Sequence, residues 1–164
     1  MNPPRRLDTV PVRTTGFDFL VGDWHVDNDR RRRPLTGSDE WYRSTARATS
    51  TTLHNGAVSV DEMYFADEGV AGSSFRFHDA EQDLWSIHGV NSRDGVLQPP
   101  VQGRWDGDLF TATGPDSYDG RPIVARYFWH SVTPDTATWE QAFSVDDGLS
   151  WETNWVMRWT RVAS

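Results

Sequence analysis

The chain has 164 residues, 24 of them acidic and 16 basic, with a formal net charge of −8 at pH 7 and a pI near 5.0, a balance that argues against a nucleic-acid or anionic-membrane surface. It contains no cysteine and all 16 of those basic residues are arginine, so disulfides, thiolate nucleophiles, zinc–thiolate centres, lysine Schiff bases and a P-loop lysine are excluded. Nine Trp, eight Phe and four Tyr instead predict one domain with a broad aromatic interior.

Residues 1–15 hold Pro3, Pro4 and Pro11 without periodicity and are expected to form a flexible arm ahead of a single domain at 16–164. No apolar run there suits a signal peptide, and no segment approaches the ~18 apolar residues of a membrane span. A cytoplasmic location is the expectation. Gly16 to Val21 predicts one helical turn that lays Phe17, Leu20 and Val21 on apolar surface. A strand then opens at Gly22-Asp23-Trp24 and runs into Arg30, Arg31, Arg32 and Arg33 before Pro34 stops it. The four arginines read as a solvated strand end in preference to an anion site.

Turn signals recur at Asn55-Gly56, Glu68-Gly69, Asp79 to Asp83, Asp94-Gly95, Asp106-Gly107, Asp119-Gly120, Thr133-Pro134-Asp135 and Asp147-Gly148. A spacing of about a dozen residues leaves room for one strand between neighbouring turns and none for a helix. The strands predicted are 22–33, 39–53, 57–66, 70–78, 84–91, 96–104, 108–113, 122–132, 136–145 and 151–161. Such a meander is all-β, and closing it removes the exposed edges, so an antiparallel up-and-down β-barrel of about ten strands is expected, with a two-sheet sandwich as the alternative.

The last hairpin, Trp139 to Arg161, is the most strongly patterned stretch. A three-residue loop at Asp146-Asp147-Gly148 would pair Phe143 with Trp151 and Trp139 with Trp155. That register puts Trp139, Gln141, Phe143, Trp151, Thr153, Trp155, Met157 and Trp159 on one face. A two-residue loop would pair Phe143 with Glu152 and is set aside because it splits the bulky residues between faces.

Gly22-Asp23-Trp24 after a helical turn resembles the Gly-x-Trp signature of the calycin superfamily. A longer likeness covers FDFLVGDW at 17–24, SVDE at 59–62, LWSIHGVNSRDG at 84–95, YDGRPI at 118–123 and WEQAFSVDDGLSWETNW at 139–155. Together these segments resemble a lipocalin-like bacterial domain family of unassigned function, distantly similar to nitrobindin and fatty-acid-binding proteins. The resemblance implies a barrel with a central cavity and supplies no reaction. Nitrobindins continue Gly-x-Trp with further glycines and hold haem through a late-strand histidine. Here His25 and Val26 follow instead, and Tyr127 and Trp129 lie on the face opposite His130, so haem is not expected and no cofactor is.

Ten strands leave space that eight would fill with their own side chains. The candidate ligand-binding residues are therefore Trp24, Trp41, Tyr64, Trp85, Trp139, Gln141, Phe143 and Trp155, set against the simpler reading that the rings only pack the interior. The five histidines show no metal-ligand spacing, and no metal is expected. Glu62 shares a face with Val58, Val60 and Tyr64; facing inward it would need a partner, and Arg76 on the next strand is the candidate. If the face of Met63 and Phe65 is the inner one, Glu62 is solvated. His88 is a candidate lumenal acid or base. No nucleophile elbow, phosphate loop or dinucleotide fingerprint is present. The leading reading is a protein that binds a hydrophobic, aromatic small molecule in a Trp-lined cavity, without nucleic-acid or membrane partners. The second is a cofactor-free tailoring enzyme, a cyclase or isomerase, with Glu62, Arg76 and His88 as catalytic groups. The third is a scaffold that homodimerises through aromatics of its final strands.

Overall fold

Turn chemistry sets the topology. A computed structural model describes residues 16–163, and the expected arm at 1–15 lies outside the described residues. The strands are β1 (Gly22–Arg31), β2 (Trp41–Leu53), β3 (Val58–Phe65), β4 (Val70–Asp79), β5 (Leu84–Asn91), β6 (Val101–Asp106), β7 (Leu109–Tyr118), β8 (Arg121–His130), β9 (Thr136–Ser144) and β10 (Glu152–Arg161). Each pairs antiparallel with its sequence neighbour, and β1 pairs with β10 to close the barrel. Two short 3₁₀ turns, Asp18–Leu20 and His54–Gly56, are the helical content of the described residues. Asp119 and Gly120, at φ 50° and 73°, form a two-residue link between Tyr118 and Arg121, as an Asp-Gly pair does in a hairpin whose turn needs two positive φ values.

Three local expectations need correction. The strand predicted at 96–104 begins at Val101, because the preceding loop runs back beside β5 with the Gln98 amide donating to the Gly89 carbonyl at 2.7 Å. β7 continues past Gly114 and Pro115 to Tyr118. Gly114 is needed there because a Cβ would lie 2.3 Å from the Pro100 carbonyl oxygen. In the last hairpin Phe143 does pair with Glu152, the register set aside above, and Asn154 bulges out of the ladder so that Trp155 pairs with Gln141 and Met157 with Trp139. Trp139, Phe143, Trp155, Met157 and Trp159 still reach the interior, while Trp151 leaves it for the Arg126 guanidinium at 4.1 Å.

The segment ahead of β1 closes one end of the barrel. Phe17 and Leu20 are fully buried, and the Phe17 ring centroid lies 4.8 Å from Trp85, 5.6 Å from Trp105 and 5.1 Å from Phe110. The Trp24 indole N–H donates to the Leu20 carbonyl at 2.7 Å, which fixes the turn on the barrel floor. Val21, expected on the same apolar surface, is 42% exposed. With the centre of that end filled by rings, the cavity lined by Trp139 and Trp155 lies toward the other.

Candidate functional site

Strand alternation decides what that space contains. On β8, β9 and β10 the inward positions carry Tyr127, Trp129, Trp139, Trp155 and Met157, a nearly continuous aromatic wall. Across from it, β4 and β5 present Gly72, Ser74 and Gly89. Large side chains facing small ones leave a cavity of about 480 Å³, within the ~300–1,000 Å³ range of small-molecule sites. A Cβ built on Gly89 meets nothing within 4 Å, so the missing side chain there is part of the void.

The rings are arranged for edge contacts. Trp139 packs on Trp155 at 5.3 Å and on Tyr127 at 5.0 Å, both T-shaped. The Trp155 indole N–H donates to Asn28 Oδ1 at 2.9 Å, which holds the ring upright. Neither the Trp139 indole N–H nor the Tyr127 hydroxyl has a hydrogen-bond partner among the described residues. Burial pushes the Tyr127 phenol up to about 12, so it stays protonated and able to donate. Its remaining accessible surface is cavity wall, which is why it is both accessible and desolvated.

Two ionic groups complete the lining. On the inner wall Arg76 Nη2 donates to Asp61 Oδ2 at 2.5 Å, and Asp61 Oδ1 accepts the Ser74 amide at 3.2 Å. Arg76 also lies over the Trp129 ring at 5.8 Å, and its Nε is buried without a partner. At the mouth, the Arg30 guanidinium stacks on Trp155 at 3.9 Å and on Phe65 at 4.5 Å. Its Nη1 donates to Tyr42 at 3.3 Å and to Glu68 at 2.9 Å, and Glu68 accepts a second guanidinium, Arg93, at 2.8 Å. The arginine run at the end of β1 is therefore not wholly solvated: its first member turns inward.

Of the residues picked out from the sequence, Arg76, Trp139, Gln141 and Trp155 meet at the cavity. Gln141 is held there by donating to Asn154 Oδ1 at 2.9 Å. Trp24, Trp85 and Phe143 point inward but are packed away from it, the first two at the floor and Phe143 against Tyr118 at 5.4 Å. Trp41 and Tyr64 lie on the outer wall, 38% and 49% exposed. Glu62 is exposed there too, because Met63 and Phe65 form the inner face of β3, and it is Asp61 that partners Arg76. His88 faces outward, between the Phe77 ring at 6.2 Å and the Gln98 carbonyl at 3.2 Å.

Sequence reasoning missed Arg30, Tyr42, Asp61, Tyr127 and Trp129 as lining residues. The signal for Arg30 was present, since it shares the two-residue phase of Trp24 and Val26. Tyr42 shares that of Ala46 and Ala48. Among the described residues no group of three or more His, Asp or Glu is placed to hold a metal ion, and no helix is long and apolar enough to cross a membrane.

No family model matches the sequence, and no curated protein matches it. Among solved structures, the S-type phycobiliprotein lyase of Guillardia theta aligns over 90% of this chain and 91% of its own, with a TM-score of 0.58 at 13% identity. Likeness at that identity shows the fold, a lipocalin-like barrel, and nothing finer.

Proposed function

We propose that this barrel binds a hydrophobic small molecule with a planar aromatic or conjugated core. The observation that carries the reading is the open space itself, walled by Tyr127, Trp129, Trp139 and Trp155 and left vacant of side chains at Gly72 and Gly89. Unpartnered donors on Trp139 and Tyr127 would orient a guest that offers an acceptor. A phycobiliprotein lyase that shares the fold is compatible with this use of the interior, but its activity is not carried over, because function follows the site and not the fold. Binding is favoured over catalysis because Glu62 and His88 face away from the cavity and Arg76 is neutralised by Asp61.

The test fills the cavity from within. Gly89 has ordinary negative φ and open space before it, so Gly89→Leu places a side chain in the void without backbone strain. The wild-type protein should enhance the fluorescence of the neutral probe N-phenyl-1-naphthylamine. Gly89→Leu should weaken that binding by about tenfold or more, with a thermal midpoint within a few degrees of wild type. Equal probe binding by the two proteins would contradict the reading.

A further inference from the structure

The charges around the cavity do not follow the charge of the chain. Three guanidinium groups, Arg30, Arg76 and Arg93, share the lining with two carboxylates, Asp61 and Glu68, and among the described residues no other side chain that is charged at neutral pH faces it. The interior thus carries surplus positive charge in a protein whose formal net charge is −8. Asp61 compensates Arg76 within the wall, so the surplus sits at the mouth, where one carboxylate serves two guanidinium groups: Arg30 on Oε1 at 2.9 Å and Arg93 on Oε2 at 2.8 Å. Local charge governs a guest at this position, because acidic groups on the outer wall beyond roughly 8–10 Å are screened at ordinary ionic strength.

We infer that the ligand is an oxyanion: a planar aromatic or conjugated molecule carrying one carboxylate or comparable acid group. Its anionic end lies at the mouth between Arg30 and Arg93, and its ring system reaches inward along Trp155 and Trp139. The inference rests on the cavity-binding reading and adds the chemistry of the guest. Arg30 is already fixed by its stack on Trp155 and Phe65, so little side-chain freedom is lost when it takes an anion. Tyr42 accepts from Arg30 Nη1 and keeps its own proton for donation to the same oxyanion. Glu68 stands where the ligand's acid group would complement the second guanidinium, and it is the group that holds affinity for an anion down.

Calorimetry with 2-naphthoic acid and its neutral isostere 2-naphthamide, at neutral pH and low salt, separates the two layers of the argument. The acid should bind about tenfold tighter than the amide, with the difference shrinking as salt rises. Arg93→Gln should bring acid and amide close to parity. Glu68→Gln should tighten the acid severalfold and widen its preference over the amide. Arg43→Gln, which removes an exposed outer-wall arginine paired with Asp29, should leave the acid preference intact. Equal binding of acid and amide to the wild type, or an acid preference lost equally in Arg43→Gln, would overturn the oxyanion inference while the cavity reading stands. Binding of neither compound would overturn both.

Discussion

Asp61 and Arg76 bring opposite charges into the barrel wall at 3% exposure each, and among the described residues neither has a second ionic partner. A pair this dry gains little net stability, because its attraction is set against the desolvation of two ions. Breaking it is another matter. Asp61→Asn leaves the Arg76 guanidinium buried and uncompensated and should destabilise the fold by about 3–5 kcal/mol in chemical denaturation, whereas the double replacement Asp61→Leu with Arg76→Met should recover most of the loss. A single variant as stable as wild type would remove this pair from the structural frame of the site. At this scale the sequence was ambiguous for a physical reason: both faces of β3 are apolar, Val58, Val60 and Tyr64 on one and Met63 and Phe65 on the other, so the two-residue period could not say whether Asp61 or Glu62 turned inward. On β9 one face is far bulkier than the other, and there Trp139 and Gln141 were readable.

The β9–β10 connection shows how one turn sets the geometry of a whole hairpin. Asp146 accepts the Ser150 hydroxyl at 2.5 Å, the Ser150 amide at 2.8 Å and the Ser144 hydroxyl at 2.8 Å. These bonds wind residues 145–151 into a loop longer than the Asp-Asp-Gly motif suggested, and the bulge at Asn154 then returns Trp155 to the inner face. Loop length was not legible because side-chain bonds from serines, and not backbone propensity, define it. The same bonds, led by the Ser150 hydroxyl, lower the Asp146 carboxyl from 3.8 to about 2. A depressed carboxyl contributes stability that is present above the unfolded value and is lost as pH falls through the folded one. The stability gap between wild type and Asp146→Asn should therefore be constant above pH 3.8 and shrink as pH falls toward about 2, measured by thermal unfolding across that range. A gap independent of pH would show that the bonds to Asp146 do not hold the loop.

For the whole molecule, the evenly spaced Asp-Gly and Asn-Gly signals made the meander readable, and β1 pairing with β10 completes a barrel that leaves no sheet edge. What the turns could not convey is how the interior divides. Trp24, Trp85, Phe17 and Phe110 fill one end solidly, while Gly72, Ser74 and Gly89 leave the other hollow against Trp139 and Trp155. That division depends on small residues placed opposite large ones across the barrel, a relation between strands far apart in sequence. It also explains why only some of the nine tryptophans reach the cavity. The most direct measurement is anomalous diffraction at the bromine edge from crystals soaked in 2-bromonaphthalene. A bromine peak inside the barrel, in van der Waals contact with Trp139 or Trp155, is expected; a peak confined to the outer wall, or an interior filled by its own side chains, would contradict a hollow ligand-binding barrel.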